Sequence, residues 1–144
     1  MMDIGRFLAA KTKPRTRDFP APEGLKVFFE DPAQAAFQVR GLTGEELARV
    51  RAAVERNRDM QALVEKFFGG REERLSAMKD VLGLSPDSLP DDLARRITMV
   101  ALGCASPELD EQAAARLFEV QPVFAYQLSD AILNLTGEGA ALGE

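Results

Sequence analysis

A chain of 144 residues with 46% hydrophobic and 28% charged residues has the size and make-up of one globular domain, on the usual scale of roughly 100–200 residues per domain. It contains no His, no Trp, one Cys and one Tyr, which removes the commonest general base and metal ligand at neutral pH and rules out a disulfide framework or a cysteine–histidine zinc site. The formal net charge of −5 is unevenly divided: residues 1–58 carry eleven Lys and Arg against eight Asp and Glu, and residues 59–144 seven against fifteen. The carboxyl half therefore repels phosphates, and nucleic acid is not expected as a partner.

The first residues contain Pro14, Pro20 and Pro22 and the basic run Lys11-Thr-Lys-Pro-Arg-Thr-Arg17, so residues 1–24 read as a flexible basic arm with Phe7-Leu8 as an apolar anchor. A single helical domain is expected over 25–137. It starts with two extended stretches, Leu25-Lys-Val-Phe-Phe29 and Ala36-Phe-Gln-Val-Arg40. Alternation of Phe37 and Val39 with polar neighbours marks the second as a half-buried strand, and Asp31-Pro32 marks a turn between them. The two stretches predict a small β-ribbon near the N-terminus.

Helical spacing begins after Gly41. Thr43-Gly-Glu-Glu46 has the form of a capping box, in which the Thr hydroxyl and the Glu carboxylate each satisfy an otherwise orphaned backbone N–H. Behind it Leu47, Val50 and Val54 share one face, with Arg49, Arg51, Arg56 and Arg58 mainly on the other. A second helix is expected over Met60, Leu63, Val64, Phe67 and Phe68, ending at Gly69-Gly70. A third runs from Arg71 to Leu82 and stops at Gly83. After a loop over Leu84 to Pro90, a helix opens at Asp91-Asp92, where carboxylates suit the positive end of the helix dipole. Its apolar stripe is Leu93, Ile97, Val100, Ala101 and Cys104. Glu111 to Val120 predicts a further helix with Ala114, Leu117 and Phe118 on one side. Pro122 suits the first position of the last helix, which carries Val123, Phe124, Leu128, Ile132 and Leu135 and stops at Gly137. Residues 138–144 read as a polar tail. The pattern predicts a mainly α fold, a compact bundle of five or six short helices with the β-ribbon in front.

None of the motifs that name a reaction is present: no phosphate-binding Gly-rich loop, dinucleotide fingerprint or nucleophile elbow. Asp87, Asp91 and Asp92 lack the spacing of a calcium loop, and Cys104 on an apolar stripe reads as a buried, inert thiol. The expectation is a binding protein, not an enzyme, with no cofactor and no metal. The lone cysteine, together with the lack of an apolar stretch of membrane length or of a secretion signal at Met1–Lys13, predicts a cytoplasmic location and no membrane partner. Phe118, Phe124 and Tyr126 gather at the junction of the last two helices. With Leu128 and Ile132 they are the candidate partner-binding residues, beside the alternative that they form core.

Three stretches together carry a resemblance. The first is Ile4-Gly-Arg-Phe-Leu8 followed by Lys11-Thr-Lys-Pro-Arg15, and the second is Phe37-Gln-Val-Arg-Gly-Leu-Thr-Gly-Glu-Glu-Leu47. The third spans Val100 to Gly137, with Ser106-Pro-Glu-Leu109, Ala115-Arg-Leu-Phe118, Pro122 and Leu128-Ser-Asp-Ala-Ile-Leu-Asn-Leu-Thr-Gly137. In this order the chain resembles the tail assembly chaperones of long-tailed bacteriophages, in the short form made without frameshifting. The resemblance implies a protein of the bacterial host cytoplasm that binds the tape-measure protein and tail-tube subunits, promotes tube assembly and is absent from the mature virion. Self-association is also open. The alternatives are a helical structural or head–tail completion protein and a small transcriptional regulator.

Overall fold

The computed structural model describes residues 1–67 and 89–143, and side chains within 1–56 and 91–143. Six helices lie among the described residues: α1 (Ile4–Ala9), α2 (Glu23–Lys26), α3 (Gly44–Phe67), α4 (Leu89–Gly103), α5 (Glu111–Val120) and α6 (Pro122–Glu138). With them run the short strands β1 (Thr12–Lys13), β2 (Thr16–Pro20), β3 (Ala36–Arg40), β4 (Cys104–Ser106) and β5 (Ala141–Leu142), and a 3-10 turn at Pro32–Gln34. The mainly helical fold with a small antiparallel β element is the one the sequence pattern predicts.

The β element is assembled differently from the expected ribbon. Strand β3 stands where its alternation placed it, with Phe37 and Val39 buried and Ala36 exposed. Its neighbours are β2 and β4 in the order β2-β3-β4, with Phe19 opposite Phe37 and Val39 opposite Cys104. Leu25–Phe29 is not a strand. Pro22 caps the short helix α2, Glu23 occupies its first turn, and the chain turns on through Phe28 and Phe29. The edge strand comes instead from Thr16–Pro20, within the segment read as a flexible arm. Pro20 closes that strand at its end, where a missing N–H costs no ladder hydrogen bond. At the other terminus Ala141 and Leu142 pair with Lys13 and Thr12, so the polar tail also carries a short strand.

The capping box forms as expected: the Glu46 N–H donates to Thr43 Oγ1 (3.2 Å) and the Thr43 N–H to Glu46 Oε1 (3.0 Å). Beyond it one continuous helix runs to Phe67, where two were expected, since no Gly or Pro interrupts the chain between Val54 and Met60. Gly69-Gly70, the segment Arg71 to Leu82 with its stop at Gly83, and most of the loop from Leu84 lie outside the described residues. Helix α4 begins at Leu89, two residues early, with Pro90 in its first turn, where proline is tolerated. It ends at Gly103, so Cys104 opens β4.

Helix α5 has the predicted bounds, and the Asp110 carboxylate caps it by accepting from the Ala113 N–H (2.7 Å). Pro122 opens α6 as predicted. That helix passes Gly137 and stops at Gly139, whose φ of 78° is the left-handed geometry a glycine accepts without strain.

Helix α4 is central to the packing and lies against α3, α5 and α6, while α6 also covers β3. Val39, Leu93, Val100, Phe118, Leu128 and Ile132 are almost completely sealed from solvent. Each contributes about 1.5–3 kcal/mol by leaving water. Helices α4 and α6 approach so closely that a Cβ on Gly103 would lie 2.7 Å from Ile132 Cδ1. Two hydroxyls fasten the layers. Thr136 Oγ1 accepts from the Leu42 N–H (2.9 Å) and donates to the Ile132 carbonyl (2.7 Å). Ser129 Oγ donates to the Tyr126 carbonyl and accepts from Arg96 (2.7 Å).

Candidate functional site

Of the aromatic residues singled out in the sequence, Phe118 and Tyr126 come together, and Phe124 packs instead on Phe37. Phe118, Leu128 and Ile132 are buried to 2% exposure or less, so none can meet a partner without unpacking the core. Tyr126 is half-buried; its ring meets Phe118 edge-on at 5.4 Å, and the Arg96 guanidinium covers it at 4.6 Å. Phe124 lies edge-on against Phe37 at 5.1 Å. Val123, assigned to the inner stripe of α6, points outward at 71% exposure.

The polar groups around Tyr126 form a closed set. Arg96 donates from Nε to Asp92 (3.0 Å) and from Nη1 to Asp130 (2.9 Å), while Arg95 pairs with Asp92. Burial alone would raise the Asp92 pKa, but hydrogen bonds from Arg96 and Arg95 outweigh it and hold it below the usual carboxylate value. Burial likewise works against the Arg96 charge, and Asp130 and Asp92 more than offset it. A second closed pair joins β3 to the start of α3, with Arg40 gripping Glu46 through two parallel hydrogen bonds, one of 2.8 Å. The hydrogen bond from Arg40 is the main reason that Glu46 falls to about 2. Both sets neutralise themselves and serve as fasteners. Cys104 is buried, and burial pushes its thiol up to about 11 against a weaker opposing hydrogen bond at the Ser106 backbone. It carries no thiolate at neutral pH. Among the described residues no group of three or more His, Cys, Asp or Glu is placed to hold a metal ion, and no helix is long and apolar enough to cross a membrane.

An accessible apolar surface lies on the far side of Phe37. A groove of about 720 Å³ runs between α2 and α5, with Leu25, Phe29, Phe37, Leu109 and Leu117 in its lining and Phe28 and Val120 on its lip. Phe28 is 81% exposed and Val120 41%. Phe29 meets Phe37 edge-on at 5.7 Å, so the aromatic series Phe29–Phe37–Phe124 runs from the groove into the body of the protein. Arg116, paired with Glu119 at 2.9 Å, and Gln121 are the polar side chains of the lining. Such a lining removes apolar surface from water and gives a bound segment few polar contacts to orient it.

Sequence reasoning missed this groove because four separated segments build it. Pro22-Glu23, a helix-start pair, was the signal that Leu25–Phe29 turns instead of extending. Compared with known proteins, the chain matches no family model, no curated protein and no solved structure.

Proposed function

We propose that this protein is a tail assembly chaperone of a long-tailed bacteriophage, and that its groove holds an apolar helix face of the tape-measure protein until tube subunits replace it. The observation that carries the reading is the groove itself: a broad apolar trough with Phe28 and Val120 exposed on its lip. A long amphipathic client exposes apolar stripes that aggregate unless covered. A helix presents such a stripe at i, i+3, i+4 and i+7, the form in which grooves of this kind read helices. The order of the three stretches named above adds support. The net negative charge keeps a loaded complex dispersed.

The binding residues on this reading are Leu25, Phe28, Leu109 and Val120, in place of the inward-facing Phe118, Leu128 and Ile132. The test is co-expression with a tape-measure segment. The wild-type chain is expected to keep the segment in the supernatant, and Phe28→Asp to lose at least half of that effect while staying folded. A segment that precipitates equally with and without the wild-type chain overturns the proposal. Recovery of the protein as a stoichiometric part of purified virions would turn the reading into that of a completion protein.

A further inference from the structure

Helix α1 is an apolar helix without a surface to bury itself on. Ile4, Phe7 and Leu8 recur at i, i+3 and i+4, the spacing of one face, and are 56%, 59% and 76% exposed. No residue of α1 is buried, and every residue from Met1 to Asp18 is exposed. Six residues are too few to hold a helix in water by themselves, so this segment gains from any surface that takes its apolar face.

We infer that α1 of one copy docks in the groove between α2 and α5 of a second copy of this chain. The inference rests on reading that groove as a docking surface for an apolar helix, and not on which client it serves. Two observations select this occupant. The first is charge. Residues 1–17 carry Arg6, Lys11, Lys13, Arg15 and Arg17 against Asp3, a net of +4, and residues 18–144 carry thirteen Lys and Arg against twenty-two Asp and Glu, a net of −9. Next to the groove's lining residues along the chain stand Glu23, Glu30, Glu108 and Glu119. Lys26 and Arg116, the cations there, pair with Glu23 and Glu119, so the net negative charge of this set rests on Glu30 and Glu108.

The second observation is where α1 stands. Strand β1 is held by β5, and the Gly143 N–H donates to the Lys11 carbonyl at 2.7 Å. With the chain anchored there, α1 is exposed along its whole length and none of its residues lines the groove. A chain with β1 paired thus leaves both its α1 and its groove open, and a second copy supplies each with the other. Where a client is present, α1 and the client compete for the same trough.

Three apolar side chains make a small contact, so the association is weak and appears as the concentration approaches about 100 μM. The experiment is sedimentation equilibrium of the full chain at low salt, without any client. The average mass is expected to rise above the monomer value with concentration, and to fall back as salt is added. Phe7→Asp, and separately Phe28→Asp, are each expected to weaken association at least tenfold. An equimolar mixture of the two variants restores a dimer, since one supplies an intact α1 and the other an intact groove. A monomer at every concentration overturns the inference, and so does an association unchanged by deletion of residues 1–9. The masses do not depend on any client, so this inference and the chaperone reading fail separately.

Discussion

Phe118 and Phe28 are the same side chain in opposite situations, 2% and 81% exposed. Phe118 stands on α5 with a second layer over it, because α6 packs on α5 and supplies Tyr126. Phe28 follows α2, a helix of a single turn, and nothing among the described residues lies beyond it. In the aromatic series the buried ring is the middle one: Phe37 is enclosed between half-buried Phe29 on the groove side and half-buried Phe124 of α6. Hydrophobicity therefore does not separate core from exposed apolar surface in this protein. What separates them is whether a neighbouring element is long enough to cover the side chain. The consequences for stability and for binding should divide in the same way.

The largest effect is expected on the covered side. Ile132→Ala removes a completely buried side chain and leaves a cavity between α4 and α6, at a cost of about 2–5 kcal/mol. Urea unfolding followed by circular dichroism measures it, and a loss below about 1 kcal/mol would show that this face is not the core. Next comes Gly103→Ala. The added methyl would meet Ile132 from the side at 2.7 Å, and because that side chain is itself enclosed, over-packing should cost about 1–3 kcal/mol. The double variant Gly103→Ala with Ile132→Val should recover part of the loss, since the two changes share one space.

Legibility in the sequence followed the range of the interaction that fixes each element. The Thr43–Glu46 capping box, the stripe of α5, the Pro122 start of α6 and the alternation of β3 are all set by residues within a turn or a strand of each other, and each is found as predicted. The partner of β3 is set across the chain, so nothing local distinguished Thr16–Pro20 from an extended arm. The pairing of Ala141–Leu142 with Thr12–Lys13 is more remote still. The candidate site has a related limit. Phe118 and Tyr126 meet in space while Phe124 packs on Phe37 instead, and proximity along α5 and α6 carries no information on which way a side chain faces. The groove joins residues 24–29, 37, 107–109 and 113–121, a set that only the folded chain brings together.

A smaller effect is expected from the ion pair that joins β3 to α3. Glu46 is held at about 2, below the roughly 4.3 of an unfolded chain. Its contribution is therefore fully present above about pH 4.5 and is lost as the pH falls towards 2. With both side chains partly solvated, the pair and the capping bond together are worth about 1–2 kcal/mol. Glu46→Gln keeps an oxygen for the capping bond, so it should lower stability at pH 7 by no more than about 1 kcal/mol and flatten the acid limb of a stability-against-pH curve. An unchanged acid limb would mean that another carboxylate governs it.

The smallest change in stability, and the most informative, is expected from Phe28→Asp. At 81% exposure Phe28 is surrounded mostly by water, so a carboxylate there should alter unfolding free energy by no more than about 0.5 kcal/mol. The same charge placed on the lip of an apolar trough has to be desolvated whenever a helix face docks, which costs far more than the lost contact. Binding to a helical client and association between copies should both fall while the unfolding curve stays where it was. Phe124→Asp makes the complementary case. Its ring packs on Phe37 behind the groove, so that variant should lose stability first and binding only in consequence. If Phe28→Asp instead unfolds the protein, the lip is part of the core. The contrast with Phe118 then disappears, and the groove goes with it.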